Sequence, residues 1–207
     1  MRIFIGIDLD DAIRAKIARF MEGVSGFAPE ARWVQPESLH ITLKFIGEQK
    51  DEQVGAIAER LRKVEGSPME IRLAGTGFFP TPKAPRVFWI GIHAGEQLAR
   101  LAGHIDAAVG ELGVAREERA FSPHLTLARA GGQRKRSSGD PRWRTGARPN
   151  SVFAELEKRL AAMGDLDFGT MAAEKFILYR SQLSPAGSKY TKLERFPLVG
   201  GESQAHA

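Results

Sequence analysis

The chain contains no cysteine among its 207 residues, and this absence excludes several classes of protein. Without thiols it is not a disulfide scaffold, a zinc or iron–sulfur protein with cysteine ligands, or a thiol-dependent enzyme. No apolar run approaches the ~20 residues that a membrane-spanning helix needs. The apolar start of the chain is shorter than a signal peptide and meets Asp8 and Asp10. We therefore expect a cytoplasmic protein with no part in a membrane.

Excess charge of one sign is confined to one segment. The chain has 30 basic and 25 acidic residues; six of the basic ones, but only Asp140 of the acidic ones, lie within 131–150. The same segment is rich in glycine, serine and proline and has no apolar period. This composition predicts a mobile loop. We favour a solvated charged loop here, and a phosphate-contacting arm beside an RNA site is the alternative.

Hydrophobic periodicity predicts an α+β protein with mixed helices and strands. Because the strands are joined by short connections, we expect antiparallel sheets. The domain should be single and bilobal over residues 1–199, with 200–207 as a flexible tail. Strands are predicted at about 3–9, 32–34, 39–47, 69–79, 86–92, 120–130, 170–179 and 190–197, and helices at about 11–24, 51–64, 96–112 and 151–163.

One short pattern occurs twice: serine, any residue, histidine, an apolar residue, threonine and leucine. The copies occupy residues 38–43 and 122–127. Alternate residues of a strand share a face. His40 therefore points the same way as Thr42, and His124 the same way as Thr126. Two copies suggest two strands facing each other across a cleft, with an approximate two-fold axis and four polar side chains at one centre.

Two hydroxyls and two imidazoles at one centre suit a phosphate. The hydroxyls would donate hydrogen bonds to non-bridging oxygens, and the imidazoles would lie on opposite sides of the phosphorus. With an ordinary pKa near 6.5, one imidazole would be neutral and the other protonated. One then removes a proton from the nucleophile while the other protonates the leaving oxygen, and each transfer contributes typically ~10²–10⁴ in rate.

With its flanking segments, this double motif resembles the 2H phosphoesterases, and most closely the RNA 2′,3′-cyclic phosphodiesterases, also called 2′-5′ RNA ligases. The resemblance covers nearly the whole chain. The segments that carry it are 2–7, 32–34, 38–47, 86–89, 122–129, 178–185 with Gly187 and Tyr190, and 195–197. It implies two antiparallel sheets facing a central cleft, with helices on their outer faces. It also implies hydrolysis of a 2′,3′-cyclic phosphate to a 2′-phosphomonoester without a metal or other cofactor.

Carried onto this chain, the resemblance implies a role for five residues. His40 would donate a proton to the departing 3′ oxygen, and His124 would accept a proton from water. Thr42, Thr126 and Arg129 would bind the phosphate. However, Arg129 lies five residues after His124, so strict alternation places it on the opposite face. It could reach the phosphate only through a bulge or from the end of the strand.

Two other chemistries are less well supported. A catalytic zinc usually takes three protein ligands, and neither His93 nor His104 lies at metal-ligand spacing from the motif histidines. A serine nucleophile at Ser38 or Ser122 would lack a nearby aspartate to orient the imidazole. We therefore expect no metal.

Other functions remain open from the sequence. The same residues could join RNA ends through a 2′,5′ linkage without ATP, or the cleft could bind RNA or a nucleotide without turnover. The expected partner is RNA with a 2′,3′-cyclic phosphate end, or a cyclic nucleotide, and we expect a monomer. By residue type alone, the candidates for stacking a base are Trp33, Phe78, Phe79, Phe121 and Trp143. We expect most of them to belong to the core, and Trp143, in the basic segment, has the least reason to be buried.

Overall fold

The computed structural model describes residues 1–131, 152–184 and 187–200. Trp143, nearly all of the basic segment and the last residues of the tail lie outside this part. The elements are β1 (Arg2–Asp8), α1 (Asp11–Ser25), β2 (Arg32–Trp33), a 3₁₀ turn (Pro36–Ser38), β3 (His40–Glu48), α2 (Asp51–Leu61), β4 (Met69–Phe79), β5 (Val87–His93), α3 (Gly95–Gly110), β6 (His124–Arg129), α4 (Ala154–Ala161), β7 (Asp167–Ala173), β8 (Lys175–Ser184) and β9 (Gly187–Pro197).

The strands form two antiparallel sheets, which confirms the expected fold class. One sheet has the order β3-β1-β8-β9 and the other β2-β6-β5-β4-β7. The strands with the two motifs, β3 and β6, belong to different sheets and contact each other. The junction of the sheets is therefore also where the two motifs meet.

The helices pack on the sheets through apolar stripes. In α1, Asp10 accepts a hydrogen bond from the Ile13 backbone N–H at 2.7 Å and so caps the helix. Ile13 and Ile17 then face inward with Met21 and Val24. The main apolar core contains buried residues from both sheets and all four helices. This core covers one face of each sheet and leaves the other face available for the motifs.

The prediction of one strand over 170–179 is wrong. These residues belong to two strands in different sheets: β7 pairs with β4, and β8 pairs with β1 and β9. Glu174 separates them, and its carbonyl accepts a hydrogen bond from Leu198 N–H at 2.7 Å. No glycine or proline marks the break, so local sequence carries no sign of it. β6 and α4 are also shorter than the predicted 120–130 and 151–163.

A β-bulge interrupts β6 at the last residue of its motif. Thr126 pairs with Trp89 and Ala128 pairs with Phe88, so Leu127 is the extra residue. Leu127 and Ala128 are consequently buried one after the other, and the alternation resumes with Arg129 exposed. The bulge thus returns Arg129 to the face of His124 and Thr126.

The same irregularity occurs at the same position of β3. Thr42 pairs with Gly6 and Lys44 pairs with Ile5, which leaves Leu43 without a partner on β1. Lys44 is turned into the interior, and Phe45 emerges on the face of the motif. The two copies therefore share a bulge at their final leucine as well as their sequence, so the internal symmetry includes the backbone.

Candidate active site

A cavity of about 380 Å³ brings the five predicted site residues together. Its volume is within the range of ~300–1,000 Å³ that is usual for small-molecule sites. Four of the five predicted residues are the motif histidines and threonines, and the fifth is Arg129, which the bulge in β6 makes possible. The lining is Arg2, Ile3, Phe4, Val34, Ser38, His40, Thr42, Phe45, His124, Thr126, Arg129, Ser181, Ser188 and Tyr190.

Both imidazoles are held in the same way. Nδ1 of His40 lies 2.7 Å from the Ser38 carbonyl oxygen, and Nδ1 of His124 lies 2.8 Å from the Ser122 carbonyl oxygen. A carbonyl only accepts, so Nδ1 must donate, and in the neutral ring Nε2 is then the unprotonated nitrogen. Each motif serine therefore fixes the tautomer of the histidine two residues later through its backbone.

The surroundings of the two histidines differ. The His40 ring has Phe4 at 4.6 Å, Tyr190 edge-on at 5.0 Å and Tyr179 at 5.9 Å between ring centroids. Burial lowers the pKa of His40 to about 4, although the Ser38 carbonyl and Asp8 act in the opposite direction. Burial also lowers the pKa of His124, with a smaller contribution from Arg129. Without substrate both imidazoles are therefore neutral near pH 7, which differs from the expected pair of one neutral and one charged ring.

Phe45 is a site residue that the sequence reasoning missed. It lines the cavity with 60% of its surface exposed, which is unusual for a large apolar side chain. Phe45 lies five residues after His40, and Arg129 lies five residues after His124. The two motifs thus differ at this position, with an aromatic ring in the first and a cation in the second. Comparing the two motifs at this fifth position would have identified it.

The aromatic residues chosen by type do not line this cavity. Trp33 and Phe78 pack on the buried ring of Phe88 at 5.9 and 5.1 Å. Phe121 packs against the main core. Phe79 contacts His124 edge-on at 4.9 Å but is not in the lining. Trp33, Phe78 and Phe121 therefore pack against the core, as expected for most of these residues, and Trp143 lies outside the described residues.

His93 and His104, the other histidines of the described residues, have structural contacts. His93 Nε2 lies 3.2 Å from the Ala74 carbonyl, and His104 Nδ1 lies 3.2 Å from the Glu65 carbonyl. Over residues 1–131, 152–184 and 187–200 there is no group of three or more side chains that could hold a metal ion. Within the same ranges, no helix is long and apolar enough to cross a membrane.

The absence of a side chain at Gly6 leaves room for the β3 backbone and the His40 ring. A Cβ on Gly6 would lie 2.7 Å from the Ile41 carbonyl oxygen and 3.4 Å from Cδ2 of His40. We expect Gly6→Ala to push β3 away from β1, to lower the free energy of unfolding by about 1–3 kcal/mol and to reduce activity. Gly23→Ala is the matched control, because nothing lies within 4 Å of a Cβ at this position in α1. Urea unfolding and turnover of both variants test this, and equal behaviour would contradict it.

Comparison with known proteins is consistent with this geometry. The family model for LigT-like phosphoesterases matches residues 7–89 and 90–139. The chain belongs to this family.

Two relatives carry the name RNA 2′,3′-cyclic phosphodiesterase. The protein of Archaeoglobus fulgidus is 35% identical over 95% of this chain and 99% of its own length. The protein of Methanothermobacter thermautotrophicus is 33% identical over 96% of this chain and 99% of its own length. Among solved structures, TT0787 of Thermus thermophilus matches with a TM-score of 0.74 and 30% identity, covering 97% of this chain and 99% of that one. Escherichia coli LigT in complex with 3′-AMP matches with a TM-score of 0.70 and 26% identity, covering 95% of this chain and 97% of that one.

Proposed function

We propose that this protein is an RNA 2′,3′-cyclic phosphodiesterase that hydrolyses a terminal 2′,3′-cyclic phosphate to a 2′-phosphomonoester without a metal. The observation that carries the proposal is the presence of both motif histidines, both motif threonines and Arg129 around one cavity. The names of the relatives and the extent of the similarity support hydrolysis of a 2′,3′-cyclic phosphate in RNA.

The two histidines divide the proton transfers. His124 Nε2 takes a proton from water as the water oxygen attacks phosphorus. The bond between phosphorus and the 3′ oxygen breaks, and that oxygen takes a proton from Nε2 of His40. The electron pair of the broken bond stays on the 3′ oxygen, and the phosphate remains on the 2′ oxygen. Assigning His40 as acid and His124 as base follows the family resemblance.

The remaining residues bind and orient the substrate. The hydroxyls of Thr42 and Thr126 donate hydrogen bonds to the non-bridging oxygens, and the Arg129 guanidinium offsets the charge that develops on them. Phe45 offers an exposed ring face on which the terminal base can stack. Phe45 and Arg129 occupy equivalent positions after the two motif histidines, so the first motif supplies a stacking surface for the base and the second supplies a charge for the phosphate.

His40 has to take up a proton from the solvent when the substrate binds. In the free protein the pKa of His40 is about 4. A bound phosphate anion favours imidazolium and raises the pKa of both histidines. Binding a negatively charged substrate therefore converts a neutral pair into the acid and base that the reaction needs.

This predicts a displacement between two pH profiles. The kcat/KM profile, which reports the free protein, should be bell-shaped with an optimum below the ordinary imidazole pKa of about 6.5, since both pKa values are lowered. The kcat profile reports the complex and should be shifted to higher pH. Steady-state rates across acidic and neutral pH measure both, and a kcat/KM optimum above neutrality would contradict the prediction.

The function itself is tested by turnover in EDTA. A 2′,3′-cyclic mononucleotide and a short RNA with the same end should both be hydrolysed, and phosphorus NMR should show a 2′-phosphate. A 3′-phosphate product or a requirement for added metal would refute the mechanism. Binding without turnover would favour a nucleotide-binding module.

Ligation through a 2′,5′ linkage would use the same residues with a sugar hydroxyl in place of water. Water is far more abundant, so we favour hydrolysis. The cytoplasmic location and the monomeric state remain predictions from the sequence.

A further inference from the structure

We propose that Arg14 of α1 is a positioning residue for His40 and acts through the 3₁₀ turn that precedes β3. This inference rests on the proposed function, in which His40 transfers a proton. Arg14 is not in the lining of the cavity, and no part of either motif includes it.

One guanidinium binds carbonyl groups at the start of the turn and directly after it. Arg14 Nη1 donates to the Pro36 carbonyl at 2.7 Å and to the Leu39 carbonyl at 3.2 Å. Between these two acceptors in the chain lies Ser38, whose carbonyl accepts the hydrogen bond from Nδ1 of His40. Arg14 therefore fixes the peptide groups on either side of the one that sets the His40 tautomer.

The guanidinium is itself fixed from the other side. Its Nη2 donates to the Leu9 carbonyl at 3.1 Å and to the carboxylate of Asp8. Asp8 lies directly opposite His40 in the β1–β3 ladder, and its other oxygen accepts from Lys192. The side chains of Arg14 and Asp8 are only 17% and 22% exposed, so solvent competes little for these bonds.

The geometry needs arginine in particular. Four acceptors are arranged around a planar group with donors in a fixed fork, whereas a lysine ammonium is a single point on a flexible stem. Among the described residues, no guanidinium holds the residues before His124 in this way. The hydrogen bonds of Arg14 therefore act on one histidine of the pair, and their loss should affect His40 selectively.

The experiment compares Arg14→Gln and Arg14→Lys with Arg19→Gln, an exposed arginine of the same helix. Misplacing a catalytic group by about 1 Å costs on the order of 100-fold in rate. We expect Arg14→Gln to lower kcat by about that factor with little change in KM, and Arg14→Lys to lower it by less. Arg19→Gln should match the wild type.

Proton–nitrogen correlation spectra of the imidazoles separate positioning from general stability. In the Arg14 variants the His40 nitrogens should show a mixture of tautomers, while those of His124 stay unchanged. If both histidines change equally, or if folded variants keep the wild-type kcat, Arg14 is only structural and the proposal fails. Should Arg14→Gln not fold, Arg14→Lys decides. A wild-type protein without turnover would refute the proposed function, while the spectra would still decide whether Arg14 orients His40.

Discussion

Alanine at either His40 or His124 should lower turnover of a 2′,3′-cyclic phosphate by roughly 10²–10⁴. His40→Ala removes the proton donor to the 3′ oxygen, and His124→Ala removes the acceptor that activates water. Because two groups that act as a unit are not additive, the double variant should lose little more than either single one. Single-turnover rates at saturating substrate measure the effect on the chemical step.

Three further measurements make this result specific. Affinity for a 2′-nucleotide should survive in both variants, because Thr42, Thr126 and Arg129 remain in place. The control variant is His104→Ala, whose side chain lies on α3 and contacts the Glu65 carbonyl through Nδ1; it should keep full activity. Removing one motif histidine should also remove one limb of the pH profile. Wild-type rates in either single variant would refute the mechanism.

The chemistry of the site was readable from the sequence because it depends on local pattern. A strand of alternating residues places His40 beside Thr42 wherever the strand lies, and the second copy supplies the symmetry. The bulges were less readable. Arg129 was expected on the wrong face unless a bulge intervened, and whether one occurs depends on how Leu127 meets the neighbouring strands.

What the sequence could not supply comes from distant parts of the chain. The low pKa of His40 arises because Phe4, Tyr179 and Tyr190 come together from three other strands. The division between β7 and β8 has the same origin, because their partners β4 and β1 belong to different sheets. Burial of a particular ring and the choice of a partner strand are both nonlocal. Periodicity within a single segment does not reveal them.

The second large effect expected concerns stability. Lys44, turned inward by the bulge in β3, has a side chain only 5% exposed and donates to Asp106 at 2.6 Å. It also donates to the Ala115 carbonyl at 2.7 Å. Asp106 further accepts from Arg116 Nε at 2.6 Å and from the Glu117 N–H at 3.1 Å. Burial raises the pKa of Asp106, but these hydrogen bonds outweigh it and the pKa lies below its ordinary value.

Asp106→Ala should therefore lower the free energy of unfolding by about 3–5 kcal/mol, because it leaves a buried ammonium without its counter-charge. Most domains have only about 5–15 kcal/mol in total. The exposed pair Lys158–Glu155 is the matched control, and Glu155→Ala should cost less than about 1 kcal/mol. Urea unfolding at neutral pH measures both, and a cost for Asp106→Ala similar to that of the control would contradict the prediction.

The same network has a predictable dependence on pH and a consequence for the site. Because the pKa of Asp106 is depressed in the folded protein, its contribution to the free energy of unfolding is complete above the unfolded pKa near 3.8 and is lost as the pH falls through the folded pKa.

The network joins β3, which carries His40, to residues 115–117, which lead toward His124. Lys44→Met combined with Asp106→Leu removes both charges together, so it should recover much of the stability. Because the network also sets the spacing of the two histidines, we expect this double variant to be stable but to have a lower kcat than the wild type. A wild-type kcat in the folded double variant would contradict this.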